Sequence, residues 1–72
     1  MRIILNSVND IKDFVNIVSK FSDDIDVSSS RRIVDAKSIM GLFSLDLSKP
    51  VEVTTAGEQS ENIYAALSKY AS

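Results

Sequence analysis

Histidine and cysteine are both absent from this sequence of 72 residues. Without histidine, the chain lacks the commonest general base, the commonest metal ligand and any imidazole that could take up a phosphoryl group. Without cysteine, it can form no disulfide, no thiolate nucleophile and no cysteine-rich zinc site. We therefore expect a protein that is not an enzyme and that holds neither a metal nor a cofactor.

Charge and hydropathy argue against several kinds of partner. Ten acidic and eight basic residues give a net charge of −2 and a pI near 4.8, so the chain as a whole repels nucleic acid and anionic membranes. Its apolar stretches, such as Ile39 to Phe43 with Gly41 counted in, are far shorter than the roughly 20 residues of a membrane span. No secretory leader pattern is present. We expect a cytoplasmic protein whose partners are proteins, not nucleic acid, a membrane or a small-molecule substrate.

The length permits a single domain, residues 1–72, with a thin core, because a chain this small buries only about 60% of its unfolded surface. Apolar periodicity predicts the order strand, helix, strand, strand, helix, strand, helix. The predicted elements span residues 2–5, 8–21, 25–27, 32–36, 37–45, 51–55 and 59–70. Strands joined by short connections pair antiparallel, and three helices cover one face of so small a sheet. The fold class is therefore α+β, an open-faced β-sandwich with a four-stranded antiparallel sheet.

Each element has a predicted buried face. Those faces consist of Ile11, Phe14, Val15 and Val18 in the first helix, with Phe21 closing it; Ile25, Val27, Val34 and Ala36 in the middle strands; and Ile63, Ala66, Leu67 and Tyr70 in the last helix. Ser7 is the predicted N-cap of the first helix, since Asp10 follows where a capping-box acid would stand. The loop between the middle strands is predicted at residues 28–31.

The short second helix has two distinct faces. Leu42 and Leu45 lie three residues apart and can point at the core, which leaves Ile39, Met40 and Phe43 on other parts of the surface. Exposed methionine and aromatic side chains suit adaptable, transient protein contacts. We interpret these three residues as a docking patch; the alternative is that they are core residues of a short helix.

Two segments carry a family resemblance. Residues 19–25 (SKFSDDI) and 34–45 (VDAKSIMGLFSL) resemble HPr, the phosphocarrier family of the bacterial sugar phosphotransferase system. The closing strand, Gly57 and the Ala-Ala-Leu helix fit as well, so the resemblance covers about residues 8–70. It implies the same open-faced sandwich and a place in sugar transport or its regulation.

The family's phosphocarrier segment has no counterpart here. HPr carries Gly-(Leu/Ile)-His-Ala-Arg-Pro before its first helix, whereas this chain has NSVND at residues 6–10. A gapless alignment would put Ser7 at the histidine and Asn9 at the arginine, but it leaves no residues for the first strand, so we favour a shortened loop. In either case no phosphoimidazole can form, and a serine phosphate ester is a poor donor. Ser7 is therefore predicted to be a helix cap only.

The resemblance also implies a regulatory serine. In HPr of many Gram-positive bacteria, the serine of Lys-Ser-Ile-Met-Gly is phosphorylated by HPr kinase, and the product binds a catabolite-control transcription factor. That serine corresponds to Ser38, and the family's docking surface corresponds to Lys37, Ile39, Met40 and Phe43. A branch of the family, catabolite repression HPr, likewise lacks the histidine and keeps the serine. From the residues alone, Ser38 can equally be an N-cap without regulation.

Three functions remain open from the sequence. The first is a non-catalytic HPr-like regulatory domain that binds proteins, under serine phosphorylation in carbon catabolite control. The second is a decayed HPr-like structural or assembly module, and the third is a phosphocarrier with an unrecognised acceptor. Two charged clusters are interpreted as solvated surface: a basic spot of Arg31, Arg32 and Lys37, and the acids Asp23, Asp24 and Asp26, which lack the glycine and glutamate of a calcium loop.

Overall fold

Strands and helices alternate in the order that the apolar pattern predicts. The computed structural model describes all 72 residues. Its elements are β1 (Arg2–Ile3), α1 (Val8–Val18), β2 (Asp26–Ser29), β3 (Arg32–Asp35), α2 (Ile39–Phe43), β4 (Val51–Thr54) and α3 (Ser60–Ala66), followed by a 3-10 turn at Ser68–Tyr70. The strands form one sheet in the order β1-β4-β2-β3, and every pair is antiparallel. The predicted α+β open-faced sandwich is confirmed.

The core lies between the helices and one face of the sheet. All 14 buried residues are apolar, and no polar or charged residue is buried among them. The strands alternate accordingly: Val51 and Val53 are buried, whereas Glu52 and Thr54 between and after them are exposed. The other face of the sheet is therefore open to solvent. No helix is long and apolar enough to cross a membrane.

Both long helices are shorter than predicted. The first, α1, ends at Val18, so Phe21 lies beyond the helix and is half-buried against the core. The last, α3, ends at Ala66, and a 3-10 turn then brings the amide of Tyr70 to the carbonyl of Leu67 at 2.9 Å. The prediction that Ala66 is buried is wrong. A seven-residue helix presents a narrow stripe, which here consists of Ile63 and the following Leu67.

The hairpin between β2 and β3 is tighter than predicted. Pairing continues to Ser29 opposite Arg32, which leaves a turn of only Ser30 and Arg31. Ser30 has a positive φ of 53°, which a two-residue hairpin requires. Ser28 and Ser29 belong to β2 because their backbones pair with β3, although serine side chains do not favour a strand.

The N-terminal edge of the sheet is covered by the end of the chain. β1 is shorter than predicted. Ile4, the residue after it, donates its amide to the carbonyl of Tyr70 at 2.9 Å. The amide of Ser72 donates to the carbonyl of Arg2, also at 2.9 Å, and Ile3 bridges Ala71. One sheet edge, at β1, is thus paired within the chain, and the other, at β3, is not.

Candidate functional site at the starts of α1 and α2

The start of α1 is a serine-capped helix end. The Oγ of Ser7 accepts a hydrogen bond from the amide of Asp10 at 3.1 Å, which confirms the predicted cap. The carboxylate of Asp10 in turn accepts from the amide of Asn6 at 2.9 Å. The arrangement differs from a capping box, in which the acid would accept from the amide of Ser7 itself, because here it accepts from the residue before the cap. The first turn of α1 therefore already carries an anion.

A shallow open cleft of about 440 Å³ lies beside this helix start. It is lined by Leu5, Asn6, Ser7, Val8, Ile11, Leu47 and Ser48. The cleft thus joins the loop after β1 to the segment that follows α2. Ser38 and the residues of α2 do not line this cleft.

The start of α2 has the same cap and different neighbours. The Oγ of Ser38 accepts from the amide of Gly41 at 3.1 Å, which confirms this cap too. No acidic residue stands in the first turn of α2. A Cβ on Gly41 would come 3.2 Å from the Cβ of Val34 and 3.3 Å from the Oγ of Ser38, so glycine allows α2 to lie closely on β3. The serine itself is half-exposed.

The surface of α2 divides as the spacing predicts, with one exception. Leu42 and Leu45 are buried, whereas Met40 is 76% exposed and Phe43 is 47% exposed. The prediction that Ile39 lies on the surface with them is wrong in part, because Ile39 is half-buried and packs against the core. The exposed apolar surface of α2, called here the α2 patch, therefore consists of Met40 and Phe43.

Lys37 contacts the scaffold more than the solvent. Its ammonium group donates to the carbonyl of Phe21 at 2.6 Å and to that of Asp23 at 2.9 Å. Its amide donates to the carboxylate of Asp35 at 2.9 Å. The interpretation of Lys37 as part of a solvated basic spot with Arg31 is therefore wrong. The lysine ties the segment after α1 to the loop that precedes α2 and so fixes the position of Ser38.

Asp23 has a structural role that the sequence does not indicate. Its carboxylate accepts from the amide of Gln59 at 3.1 Å, just before α3. A Cβ on Gly57 would overlap that carboxylate, so a larger residue in the turn before α3 would displace the Asp23 side chain. The interpretation of Asp23 as plain surface charge is wrong. The partners are 36 residues apart, and no local pattern could have joined them.

A second missed cluster joins α1 to the end of the chain. The carboxylate of Asp13 accepts from the ammonium of Lys69 at 2.7 Å and from the phenol of Tyr70. The hydrogen bond from Lys69, followed by that from Tyr70, lowers the pKa of Asp13 below its usual range. Burial and the hydrogen bond to Asp13 raise the pKa of Tyr70 to about 12. The sequence indicates only that Tyr70 faces inward.

The comparisons with known proteins agree with this geometry. The family model described as "PTS HPr component phosphorylation site" matches residues 9–72. The chain belongs to the HPr family. A search of curated protein sequences finds no significant match. The family resemblance of the sequence, its fold and its relation to the phosphotransferase system are thereby confirmed.

Solved HPr-family structures align along most of the chain. HPr-C-His from Thermoanaerobacter tengcongensis has 32% sequence identity and a TM-score of 0.83, covering 96% of this chain and 85% of that one. The phosphocarrier protein HPr of Bacillus anthracis has 27% identity and a TM-score of 0.79, covering 100% and 94%. Crh, described as the catabolite repression containing protein of Bacillus subtilis, has 27% identity and a TM-score of 0.75, covering 94% and 80%. Its structure is described as a domain-swapped dimer.

Proposed function

We propose that this HPr-family chain is a non-catalytic regulatory domain that binds a protein partner through the α2 patch. The observation that carries the proposal is the exposure of Met40 (76%) and Phe43 (47%) directly after the cap residue Ser38. Small monomers seldom expose neighbouring large apolar side chains without a use for them. HPr itself is a phosphocarrier rather than an enzyme, and this chain has no histidine with which to carry a phosphoryl group.

Ser38 is the proposed switch of this surface. A phosphate on Ser38 meets no carboxylate in the first turn of α2, whereas one on Ser7 would stand beside Asp10. Negative charge is tolerated at a helix start and repelled by a neighbouring acid. A phosphate on Ser38 also adds charge beside an apolar patch and so changes which partner that patch accepts. Following the family, the proposed enzyme is HPr kinase, and the proposed partner of the phosphorylated form is a catabolite-control transcription factor.

Lys37 and Ile39 support this surface from beneath. The ammonium of Lys37 is already bonded to two backbone carbonyls, and the side chain of Ile39 packs against the core. We assign to them the placement of Ser38 and of the α2 patch, and we assign the direct contacts to Met40 and Phe43. Anchor residues of this kind often cost about 2 kcal/mol or more of binding energy when truncated.

Truncation of Phe43 tests the docking surface. Chain phosphorylated at Ser38 is titrated with a catabolite-control transcription factor of a Gram-positive bacterium, as wild type and as Phe43→Ala. The matched control is Ile33→Ala, since Ile33 is an equally apolar, 71% exposed side chain on the opposite face of the sheet. We expect a loss of affinity of about tenfold or more for Phe43→Ala only. Equal affinity of all three proteins would contradict the proposal.

A phosphotransfer assay tests the non-carrier part of the proposal separately. The chain is incubated with the first enzyme of the phosphotransferase system and radiolabelled phosphoenolpyruvate, beside a histidine-bearing HPr as positive control. We expect label on the control and none on this chain. An acid-labile label on this chain would show instead a phosphocarrier with another acceptor.

A further inference from the structure

The two edges of the sheet differ in their hydrogen bonding. The β1 edge is bonded to residues 70–72 of the same chain, as described above. The β3 edge is the last strand of the sheet, with β2 on one side and no strand on the other. An unpaired edge is a template for another strand, and proteins commonly protect it. Here only the β1 edge is covered.

The backbone groups that face outward from β3 follow from its register. The amide of Ala36 donates to the carbonyl of Ile25 at 2.9 Å, so this pair is hydrogen-bonded. Hydrogen-bonded pairs alternate along an antiparallel ladder, so Val34 and Arg32 also point their backbone groups towards β2. The backbone groups of Ile33, and the amide of Asp35, therefore point away from the sheet.

The side chains along this edge are self-complementary. On the open face of the sheet, Ile33 is 71% exposed and Asp35 follows it two residues later, and the exposed Arg31, in the turn just before β3, precedes Ile33 by two residues. The order is cation, apolar residue, anion. An antiparallel second copy reverses that order, so a two-fold axis at Ile33 sets the two isoleucines opposite each other and brings each Arg31, in the turn at the end of the strand, level with an Asp35. Directly opposed residues on one face stabilise a sheet when they are apolar or of opposite charge.

The neighbouring registers lack this match. A two-fold axis at Arg32 would set the two Arg32 guanidinium groups opposite each other, and like charges directly opposite are unfavourable. An axis at Val34 would set each Ile33 opposite an Asp35. Only the register centred on Ile33 unites outward-pointing backbone groups, apolar contact and two pairs of opposite charge.

We propose that β3 pairs antiparallel with β3 of a second copy of this chain, about a two-fold axis at Ile33. The pairing joins two four-stranded sheets and requires no exchange of elements between the copies. A four-residue edge buries far less than the roughly 1,600 Å² of a standard interface, so the dimer is a weak one. Both α2 helices then lie on the same side of the joined sheet, because opposed residues of antiparallel strands point their side chains to the same face.

A charge-reversal mixing experiment tests the pairing. Sedimentation and NMR line widths are measured on wild type, Arg31→Asp and Asp35→Arg, from about 50 µM to 1 mM, a range chosen for a weak interface. We expect wild type to dimerise and each variant alone to dimerise about tenfold more weakly or not at all. The equimolar mixture should recover wild-type association, since each pair of facing residues again carries charges of opposite sign. Circular dichroism checks that each variant is folded.

Substitution of Ile33 separates this pairing from other dimers. We expect Ile33→Lys to abolish association, because two lysines would then face each other at the axis. The matched control Met40→Lys, on the α2 patch, leaves association unchanged. A wild type that stays monomeric at 1 mM, a dimer that survives Ile33→Lys, or a mixture that does not recover association would each overturn the proposal. None of these results bears on the binding of a partner at α2.

Discussion

The starts of α1 and α2 have the same cap and offer different surfaces. In both, the Oγ of a serine accepts a hydrogen bond of 3.1 Å from the amide of the third residue after it. The α1 start continues into an 11-residue helix with Asp10 in its first turn, whereas the α2 start leads into five residues without an acid. Exposed Met40 and Phe43 follow the second cap. The cap hydrogen bond sets where each helix begins. The charge and exposure of the neighbouring side chains determine which ligand or partner that helix start can accept.

The electrostatic difference between the two starts bears on phosphorylation. The carboxylate of Asp10 already accepts from the amide of Asn6, so a further anion at Ser7 would add like charge. The first turn of α2 holds no acid, and the ammonium of the preceding Lys37 is bonded to carbonyls of Phe21 and Asp23. This difference supports the proposal that Ser38, and not Ser7, takes the phosphate.

The stability of the protein should depend strongly on the buried face of α2 and little on its exposed face. Leu42 is fully buried, and its truncation to alanine should destabilise the protein by about 2–5 kcal/mol, through lost burial and the cavity left behind. Met40→Ala, on the exposed face of the same helix, should change the free energy of unfolding by no more than about 0.5 kcal/mol. Urea denaturation measures both. Similar losses for the two variants would show that the α2 patch is part of the core.

Next in size is the loss of each cap. Ser7→Ala and Ser38→Ala should each reduce the free energy of unfolding by about 1 kcal/mol, because each leaves a helical amide without its acceptor. Denaturation of the two single variants shows whether the caps are equivalent. A Ser38→Ala protein as stable as wild type would remove Ser38 from the role of cap.

A smaller effect distinguishes the charge around the caps. Aspartate can replace serine as a cap, so Ser38→Asp should be more stable than Ser38→Ala. The free energy of unfolding should change less favourably on Ser7→Asp than on Ser38→Asp, by about 0.3–1 kcal/mol, because Asp10 already lies in the first turn of α1. Added salt should reduce that difference. An aspartate that is equally favourable at both positions would contradict the electrostatic distinction.

The last effect is pH-dependent and concerns the contact of α1 with Lys69 and Tyr70, which α2 lacks. Tyr70 has a pKa raised to about 12, so its contribution to stability is complete below the unfolded pKa near 10 and is lost as the pH rises towards 12. The lowered pKa of Asp13 makes its contribution present above the unfolded value near 4 and lost as the pH falls below it. Denaturation at pH 8 to 12 measures the alkaline loss. Tyr70→Phe is the control, and an unchanged alkaline loss in that variant would assign it to other groups.

Local signals made the helix starts predictable from the sequence. Each cap depends on residues within three positions of the serine, and the exposure of Met40 and Phe43 follows because Leu42 and Leu45 occupy the one buried stripe. Helix ends were less predictable. They depend on how the chain folds back, as the 3-10 turn before Tyr70 shows.

Contacts between distant residues could not be predicted. Lys37 bonds to carbonyls 14 and 16 positions away, and Asp23 bonds to an amide 36 positions away. Charge patterns alone assigned both residues to the solvent. The tight hairpin was missed for a similar reason, since Ser28 and Ser29 join a strand only through the register that β3 imposes.

Kinase labelling tests the distinction between the two serines most directly. Wild type, Ser38→Ala and Ser7→Ala are incubated with HPr kinase and radiolabelled ATP, after each has been shown to be folded. We expect acid-stable label on wild type and on Ser7→Ala, and none on Ser38→Ala. Label that persists in Ser38→Ala or disappears in Ser7→Ala, or a wild type that takes up none, would contradict the assignment of the switch to the start of α2.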